Sequence, residues 1–328
     1  MRAIQAVRYG GPEVLEVVEL PDPVPGPGQI SIDVSHAAVG LIDLYLRRGQ
    51  FADRDGLPKP PYVPGLEVVG TVRALGDDVD GFRIGEQVVT LSVSGEGGYG
   101  SISVCDARLV ASIDGSGIDP VLAVAALPNA VTAQLALTMV THLAPGESVL
   151  IHGALGGLAA AFAGMARALG AGRVVGTVRR KSLQSAQVSQ LPYDTTIAAE
   201  DFPGTLDGER FDVIVDPVGG ALRTASLDAL APLGRLLLVG NASDEWDNVV
   251  DTNSVWTRNI AIAGFSVGTY LPAHPALAAP AANAAVGAIR DGLLNLAVDV
   301  LPLALAGEAH RRLEQGPVSR RIVLTLDG

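Results

Sequence analysis

Over the first 120 or so residues, apolar and polar positions alternate in short runs separated by turn residues. The runs "AIQAVRY", "LEVVEL", "QISIDVSHAAV", "LEVVGTVRAL", "GEQVVTLSV" and "ISVCDARLVASI" are rich in Val and Ile, with "GG", "PDPVPGPG", "GDDVDG" and "GEGG" between them. Period-two runs bounded by Gly, Pro and Asp predict strands of a compact antiparallel β unit. From Val121 the texture changes to alanine-rich helical stretches alternating with short, almost wholly apolar runs. "SVLIHG" (148–153), "GRVVGTV" (172–178), "FDVIVDPV" (211–218), "GRLLLVGN" (234–241) and "NIAIAGF" (259–265) are the candidate strands. Strands with so little polar alternation are buried on both faces, which predicts a parallel sheet covered by helices. "LAAAFAGMARALG" and "GALRTASLDALAPLG" read as helices ending at glycine, and the order strand, helix, strand predicts a doubly wound α/β domain. After "GTYLPAHPALAAP", a Pro-punctuated connection, a helical stretch ("AANAAVGAIRDGLLN") and a final strand ("RRIVLTLDG") remain.

Composition narrows the classes. At 328 residues the chain is longer than one core usually supports, so two domains are expected, and 48% hydrophobic residues can fill them. A net charge of −12 excludes general affinity for nucleic acid or an anionic membrane surface. The one cysteine, Cys105, rules out an intrachain disulfide and a multi-cysteine zinc site. The apolar stretches are interrupted by Gly, Pro and charges, and the start has no leader pattern. No membrane segment is therefore expected, and the expected compartment is the cytoplasm.

The candidate chemistry starts at "IHGALGGLAAAFAGMARALG" (151–170), a strand, a small-residue turn and a helix beginning near Leu158. Set on the six-position dinucleotide fingerprint it reads Ala154, Leu155, Gly156, Gly157, Leu158, Ala159. Gly156 holds the middle position, where backbone approaches a pyrophosphate; the last position serves helix packing and accepts alanine. Ala154 lacks the glycine that makes the turn, so Gly153 or Gly157 must share the bend. A NAD site usually places Asp or Glu at the end of the next strand, about 20 residues on. Here Thr177 is followed after Val178 by Arg179, Arg180 and Lys181 and no acid. Guanidinium groups grip a ribose 2′-phosphate with paired hydrogen bonds worth about 1.5 to 3 kcal/mol each, so the expected cofactor is NADPH.

Taken together, "AVRYGGPEVLEVVELPDPVPGPGQ", "GLIDLYLRRGQF", "PYVPGLEVVGTV", "ALPNAVTAQLAL", "IHGALGGLAAA", "FDVIVDPVGG", "GRLLLVGNAS" and "AHRRLEQGPVSRRIVL" run through nearly the whole chain. In this order and spacing they resemble the zinc-independent quinone oxidoreductase, or zeta-crystallin-like, branch of the medium-chain dehydrogenase/reductase superfamily. The resemblance implies a GroES-like, mostly antiparallel β catalytic domain (1–121 and 266–328), a Rossmann NADP-binding domain (122–265), an active site in the cleft between them, and a homodimer.

The resemblance also assigns residues. Zinc-dependent relatives carry Cys and His where Gly40 and Leu66 stand, and the five histidines are scattered without ligand spacing, so no metal is expected. Tyr45 matches a tyrosine near the nicotinamide that donates to the substrate oxygen or helps hold the cofactor, and Asp43 a family aspartate that acts there or orients its helix. The family Asn of this segment is replaced by Gly40, and an aromatic hydroxyl position by Phe51, which implies a more apolar pocket. Thr132 matches a threonine near the nicotinamide amide, with Asn129 close by. Gly240 and Asn241 border the path from adenosine to nicotinamide, and Phe265, Ser266 and Val267 match the segment reaching the nicotinamide. Arg320 and Arg321 replace a Gly-Lys pair, whereas the later Lys and Tyr of the 2′-phosphate site are represented by Leu183 and about Ala198.

Without a Lewis acid, reducing an already polarised acceptor makes smaller demands than oxidising an alcohol. The implied activity is therefore hydride transfer from NADPH to a quinone or an α,β-unsaturated carbonyl. Two alternatives stay open: an NADPH-binding protein of this fold without redox turnover, and a tailoring reductase acting on a larger unsaturated intermediate.

Overall fold

The computed structural model describes residues 1–91, 97–316 and 320–326; part of the "GEQVVTLSV" run and of the "GEGG" turn lies outside them. The chain divides into two compact units. One comprises Met1–Pro128, Val267–Val286 and Ala297–Gly328, the other Asn129–Ser266 and Gly287–Leu296. The segment 287–296 thus sits with the second unit, where Leu294 is fully buried and Gly164 leaves no room for a side chain: a Cβ there would lie 2.5 Å from Leu293 O.

In the first unit the predicted β segments form β1 (Arg2–Ala6), β2 (Leu15–Glu19), β3 (Gln29–Ala38), β4 (Glu67–Leu75), β5 (Gln87–Thr90), β6 (Ile102–Asp106) and β7 (Val110–Ser112). β6 and β7 were one run in the sequence; a 3-10 turn at Ala107–Leu109, with Asp106 accepting from the Arg108 amide, separates them. β1 and β2 pair by themselves, and β3, β4, β5 and β7 are antiparallel neighbours, with β6 on β3. The core beneath them is aliphatic, from Ile4, Ile30, Ile32, Val68 and Val88. Helix α1 (Leu41–Arg48) follows β3 and ends at Gly49, whose φ of 78° suits a residue without a side chain.

Helix α2 (Pro120–Leu135) continues as a π turn to Val140. Together they make 21 residues with a stretch of mean hydropathy 1.6, by length and composition alone enough to cross a membrane. Burial of 72% of its most apolar stretch inside the protein is the condition of a core helix.

The second unit contains β8 (Ser148–His152), helix α3 (Gly157–Ala168), β9 (Arg173–Val178), β10 (Thr195–Ala198), β11 (Phe211–Asp216), β12 (Leu230–Leu238) and β13 (Ala261–Gly264). These six strands are all parallel, in the order β10-β9-β8-β11-β12-β13, the doubly wound arrangement that the apolar runs predicted. Two details differ from the sequence reading. β10 was missed, because four residues at a sheet edge carry no usable period. The helix expected through Gly234 stops at Asp228, and β12 starts at Leu230, since Pro232 cannot continue a helix.

The chain returns to the first unit through a helix at Val267–Ala273, where only a connection was expected, and a second at Ala278–Arg290. It then adds β14 (Val298–Pro302), the helix Ala306–Glu314 and β15 (Arg321–Thr325); β15 is parallel to β14 and antiparallel to β3.

Candidate functional site

The loop between β8 and α3 is built around the missing fingerprint glycine. Gly153 takes the bend with φ of 70°, and Gly157 begins the helix. Ala154 is fully buried, its amide donating to Thr177 O at 2.9 Å, and Gly156 donates to Gly153 O at 2.8 Å. The Ala154 methyl fits because β9 carries a glycine opposite: a Cβ on Gly176 would lie 2.6 Å from it and 2.9 Å from the Tyr193 ring. Tyr193, which sequence reasoning missed, pins the loop. Its buried hydroxyl lies 3.0 Å from Ala154 O and 3.1 Å from Ala159 O, one proton shared between two carbonyls. A Cβ on Gly156 would come within 3.2 Å of Gly153 O, so glycine keeps the mouth of the loop open. The first amides of α3, from Gly157, Leu158 and Ala159, have no partner within the helix, and a helix N-terminus with such donors favours an anion.

The end of β9 differs from its sequence reading. Arg179 and Arg180 are both exposed, but the Arg180 amide and one of its guanidinium nitrogens already have acidic partners. Its amide donates to the two carboxylate oxygens of Glu200 at 2.9 and 3.1 Å, and its guanidinium pairs with Asp201 at 2.5 Å. The strand is not followed by an acid in sequence, but β10 brings two acids alongside it. Thr177 is also corrected: it is fully buried with its hydroxyl on His152 Nδ1 at 3.0 Å, so its side chain packs the sheet and only its carbonyl touches the loop.

Further along the unit, Asn129 lies on α2 with its Nδ2 buried and without a partner, one turn from the nearly buried Thr132. Gly240 and Asn241 follow β12. Gly240 O accepts from Arg223 at 2.7 Å, and Arg223 in turn pairs with the fully buried Asp216 at 2.6 Å. Asp216 also accepts from the Val218 and Gly219 amides at 2.8 and 2.7 Å, fixing the turn after β11. A Cβ on Gly219 would lie 2.0 Å from Asn241 Oδ1, so that turn packs directly on Asn241. This brace was not singled out from sequence, although its residues lie within "DPVGG" and the helix behind it. Phe265 donates its amide to Leu238 O at 3.0 Å, carrying the chain from β13 to the exposed Ser266.

The remaining candidates, Asp43, Tyr45, Val267 and Arg321, belong to the first unit. Asp43 is the third residue of α1 and is 3% exposed. One oxygen accepts from the Gly40 amide at 2.8 Å and lies 3.4 Å from the Tyr99 hydroxyl; the other accepts from the Gly65 amide at 3.3 Å. Burial, opposed by the Gly40 amide and reinforced by nearby Glu67, pushes the carboxyl up to about 7. Tyr99 continues the network to His310 Nε2 at 3.1 Å, His310 Nδ1 meets the fully buried Arg47 at 3.2 Å, and Arg47 pairs with Glu314. Burial, with Arg47 and Arg48 adding to it, pushes His310 down to about 3. Asp43 therefore sets α1 and its surroundings. Tyr45, two residues further along α1 and half-buried, packs edge-on against Phe51 at 6.0 Å. Arg321 pairs with Glu67 and donates to Val39 O at 2.9 Å, partners that lie within its own sheet.

No three His, Cys, Asp or Glu side chains gather into a metal-holding group among the described residues. Gly40 stands at the N-terminus of α1 in an extended conformation, and a Cβ there would meet only ordinary contacts, so nothing in the space demands glycine. Cys105 is buried and its thiol is pushed up to about 12 by that burial.

Two family models match: "alcohol dehydrogenase GroES-like domain" over residues 26–127 and "zinc-binding dehydrogenase" over residues 191–324. A quinone oxidoreductase of Pseudomonas aeruginosa is 30% identical over 319 residues, 95% of each chain. Among solved structures, mycobacterial Rv1454c complexed with NADPH is 30% identical with a TM-score of 0.87, covering 99% of both chains. A 2-haloacrylate reductase is 27% identical with a TM-score of 0.83 over the full length of both. The GroES-like unit, the doubly wound sheet and this near-complete coverage agree: the chain belongs to the medium-chain dehydrogenase/reductase superfamily, as an oxidoreductase related to its quinone oxidoreductases.

Proposed function

We propose that this chain is an NADPH-dependent reductase of quinones or α,β-unsaturated carbonyls that works without zinc. The observation that carries the proposal is the pinned loop at Gly153–Gly157, which leaves the first amides of α3 unpartnered and a glycine-lined approach in front of them. These features fit a pyrophosphate, and the orphaned Asn129 Nδ2 fits an amide-bearing ring that would give it a partner. The relative solved with NADPH and the 2-haloacrylate reductase support the cofactor and the class of conjugated acceptor.

When bound, NADPH supplies the hydride. The chain's own residues then have three tasks. Gly156, Gly157 and Leu158 would hold the pyrophosphate; Asn129, Thr132 and the 265–267 segment would orient the nicotinamide end, with Gly240 and Asn241 held in place by the Asp216–Arg223 brace. Tyr45 would donate to the substrate oxygen that takes up negative charge, and Asp43 is a positioning residue that holds the start of α1 through the Gly40 and Gly65 amides. Gly40 removes a polar group from this region, which favours larger or more apolar acceptors. Dimerisation and a cytoplasmic setting belong to the same reading.

The test follows reduced-nicotinamide absorbance with small quinones and enones, for NADPH and for NADH. Oxidation of NADPH by at least one conjugated acceptor is the expected outcome. Tight NADPH binding without turnover on any acceptor would replace this reading by a binding role, which the loss of polarity at Gly40 favours as the second choice.

A further inference from the structure

We propose that Glu200 sets the cofactor preference of this enzyme, by holding the donor that a ribose 2′-phosphate needs; the inference rests on the dinucleotide-binding reading above. In a doubly wound sheet the residues just after the second strand face the adenosine ribose. Here that strand is β9, and the donors beyond its end belong to Arg179, Arg180 and Lys181.

The pairing of β10 with β9 decides what lies beside them. Ala198 is in register with Val178, so two residues further along Glu200 comes abreast of Arg180. Both Glu200 oxygens face the Arg180 amide, at 2.9 and 3.1 Å, and Asp201 takes the guanidinium. A carboxylate is thus placed as an internal anion on the amide that opens the turn. The three cations of the turn are opposed by two acids, which lowers the field available to a doubly charged phosphate.

The two cofactors meet this arrangement differently. A 2′-phosphate must displace Glu200 from the amide and tolerate its charge, and like charges brought together oppose binding. A 2′-hydroxyl can instead donate to the same carboxylate, the role an acid plays in NAD sites. Glu200 therefore weakens NADPH selectively and narrows the preference that the arginines alone would create. Glu200 and Arg180 are both exposed and the Asp201 pair is 59% and 37% accessible, so water screens both contacts; the Asp201 contact is a single bond to one guanidinium nitrogen, whereas Glu200 sets both oxygens on one amide.

The experiment measures dissociation constants of NADPH and NADH by nicotinamide fluorescence, and of 2′,5′-ADP and 5′-AMP by calorimetry, for the wild type, E200Q and D201N. Expected is about a tenfold or greater gain in NADPH and 2′,5′-ADP affinity in E200Q, with NADH and 5′-AMP unchanged or weakened, and a smaller gain in D201N. Unfolding midpoints of the variants establish that the fold is retained. A purely structural Glu200 would move all four ligands by the same factor or move none, and either result overturns the proposal while leaving the cofactor reading intact. A wild type that binds neither dinucleotide overturns both.

Discussion

His152 offers a sharp test of how this core is assembled. It lies at the end of β8, fully buried, with Nε2 2.7 Å from Ser226 Oγ and Nδ1 3.0 Å from Thr177 Oγ1. Ser226 donates its own proton to Leu222 O at 2.7 Å, so Nε2 must carry the hydrogen and Nδ1 must accept from Thr177. The neutral ring is completely satisfied, and burial pushes its pKa down from 6.5 to about 4, nearby Asp216 opposing the shift. Below pH 6.5 the unfolded chain binds a proton that the folded protein refuses until about pH 4, so stability falls as pH drops through this window. At 1.36 kcal/mol per unit the full loss is about 3 kcal/mol, most of it, about 2 kcal/mol, between pH 7 and 4.5. His152→Gln keeps a donor and an acceptor but does not titrate. Urea unfolding followed by circular dichroism at the two pH values should therefore show the wild type losing about 2 kcal/mol more than the variant. His310 and the carboxylates contribute to both proteins and cancel in the comparison. Equal losses would refute the neutral, buried assignment of His152.

Three further outcomes follow from the packing. Gly176→Ala should cost about 1 to 3 kcal/mol in thermal unfolding by driving a methyl into Ala154 and Tyr193, and adding Ala154→Gly should recover part of it. Tyr193→Phe should cost about 1 kcal/mol and loosen the loop, seen as weaker binding of NADPH and NADH alike. Arg223→Met leaves the fully buried Asp216 charge unmatched and should cost about 3 to 5 kcal/mol, with the double variant carrying Asp216→Asn less affected than the single one.

How legible each part was depended on the range of the interaction behind it. β8, β9, β11 and β13 were readable because strands buried on both faces need unbroken apolar runs, and α3 because its small residues end at glycine. The turn before α3 was readable for the same local reason, since its small residues and glycines mark where the strand gives way to the helix. Tyr193 and Gly176 were not, because each makes sense only against Ala154, which reaches them across strands. Arg321 looked like an available cation until β15 placed it beside Glu67, a residue 254 positions away.

The sequence by itself determined the two-part architecture, the superfamily and the position of the dinucleotide loop, since these rest on hydrophobic period, turn chemistry and motifs spaced along the chain. Only the tertiary structure decided which charges are spent. Asp43, matched to an aspartate that acts or orients its helix, is buried against the start of α1; Arg180, read as a phosphate ligand, meets Glu200 and Asp201 from the 3-10 turn that follows the edge strand. The physical reason is that a side chain's charge is local, whereas its availability depends on the partners that sheet register brings within hydrogen-bonding distance.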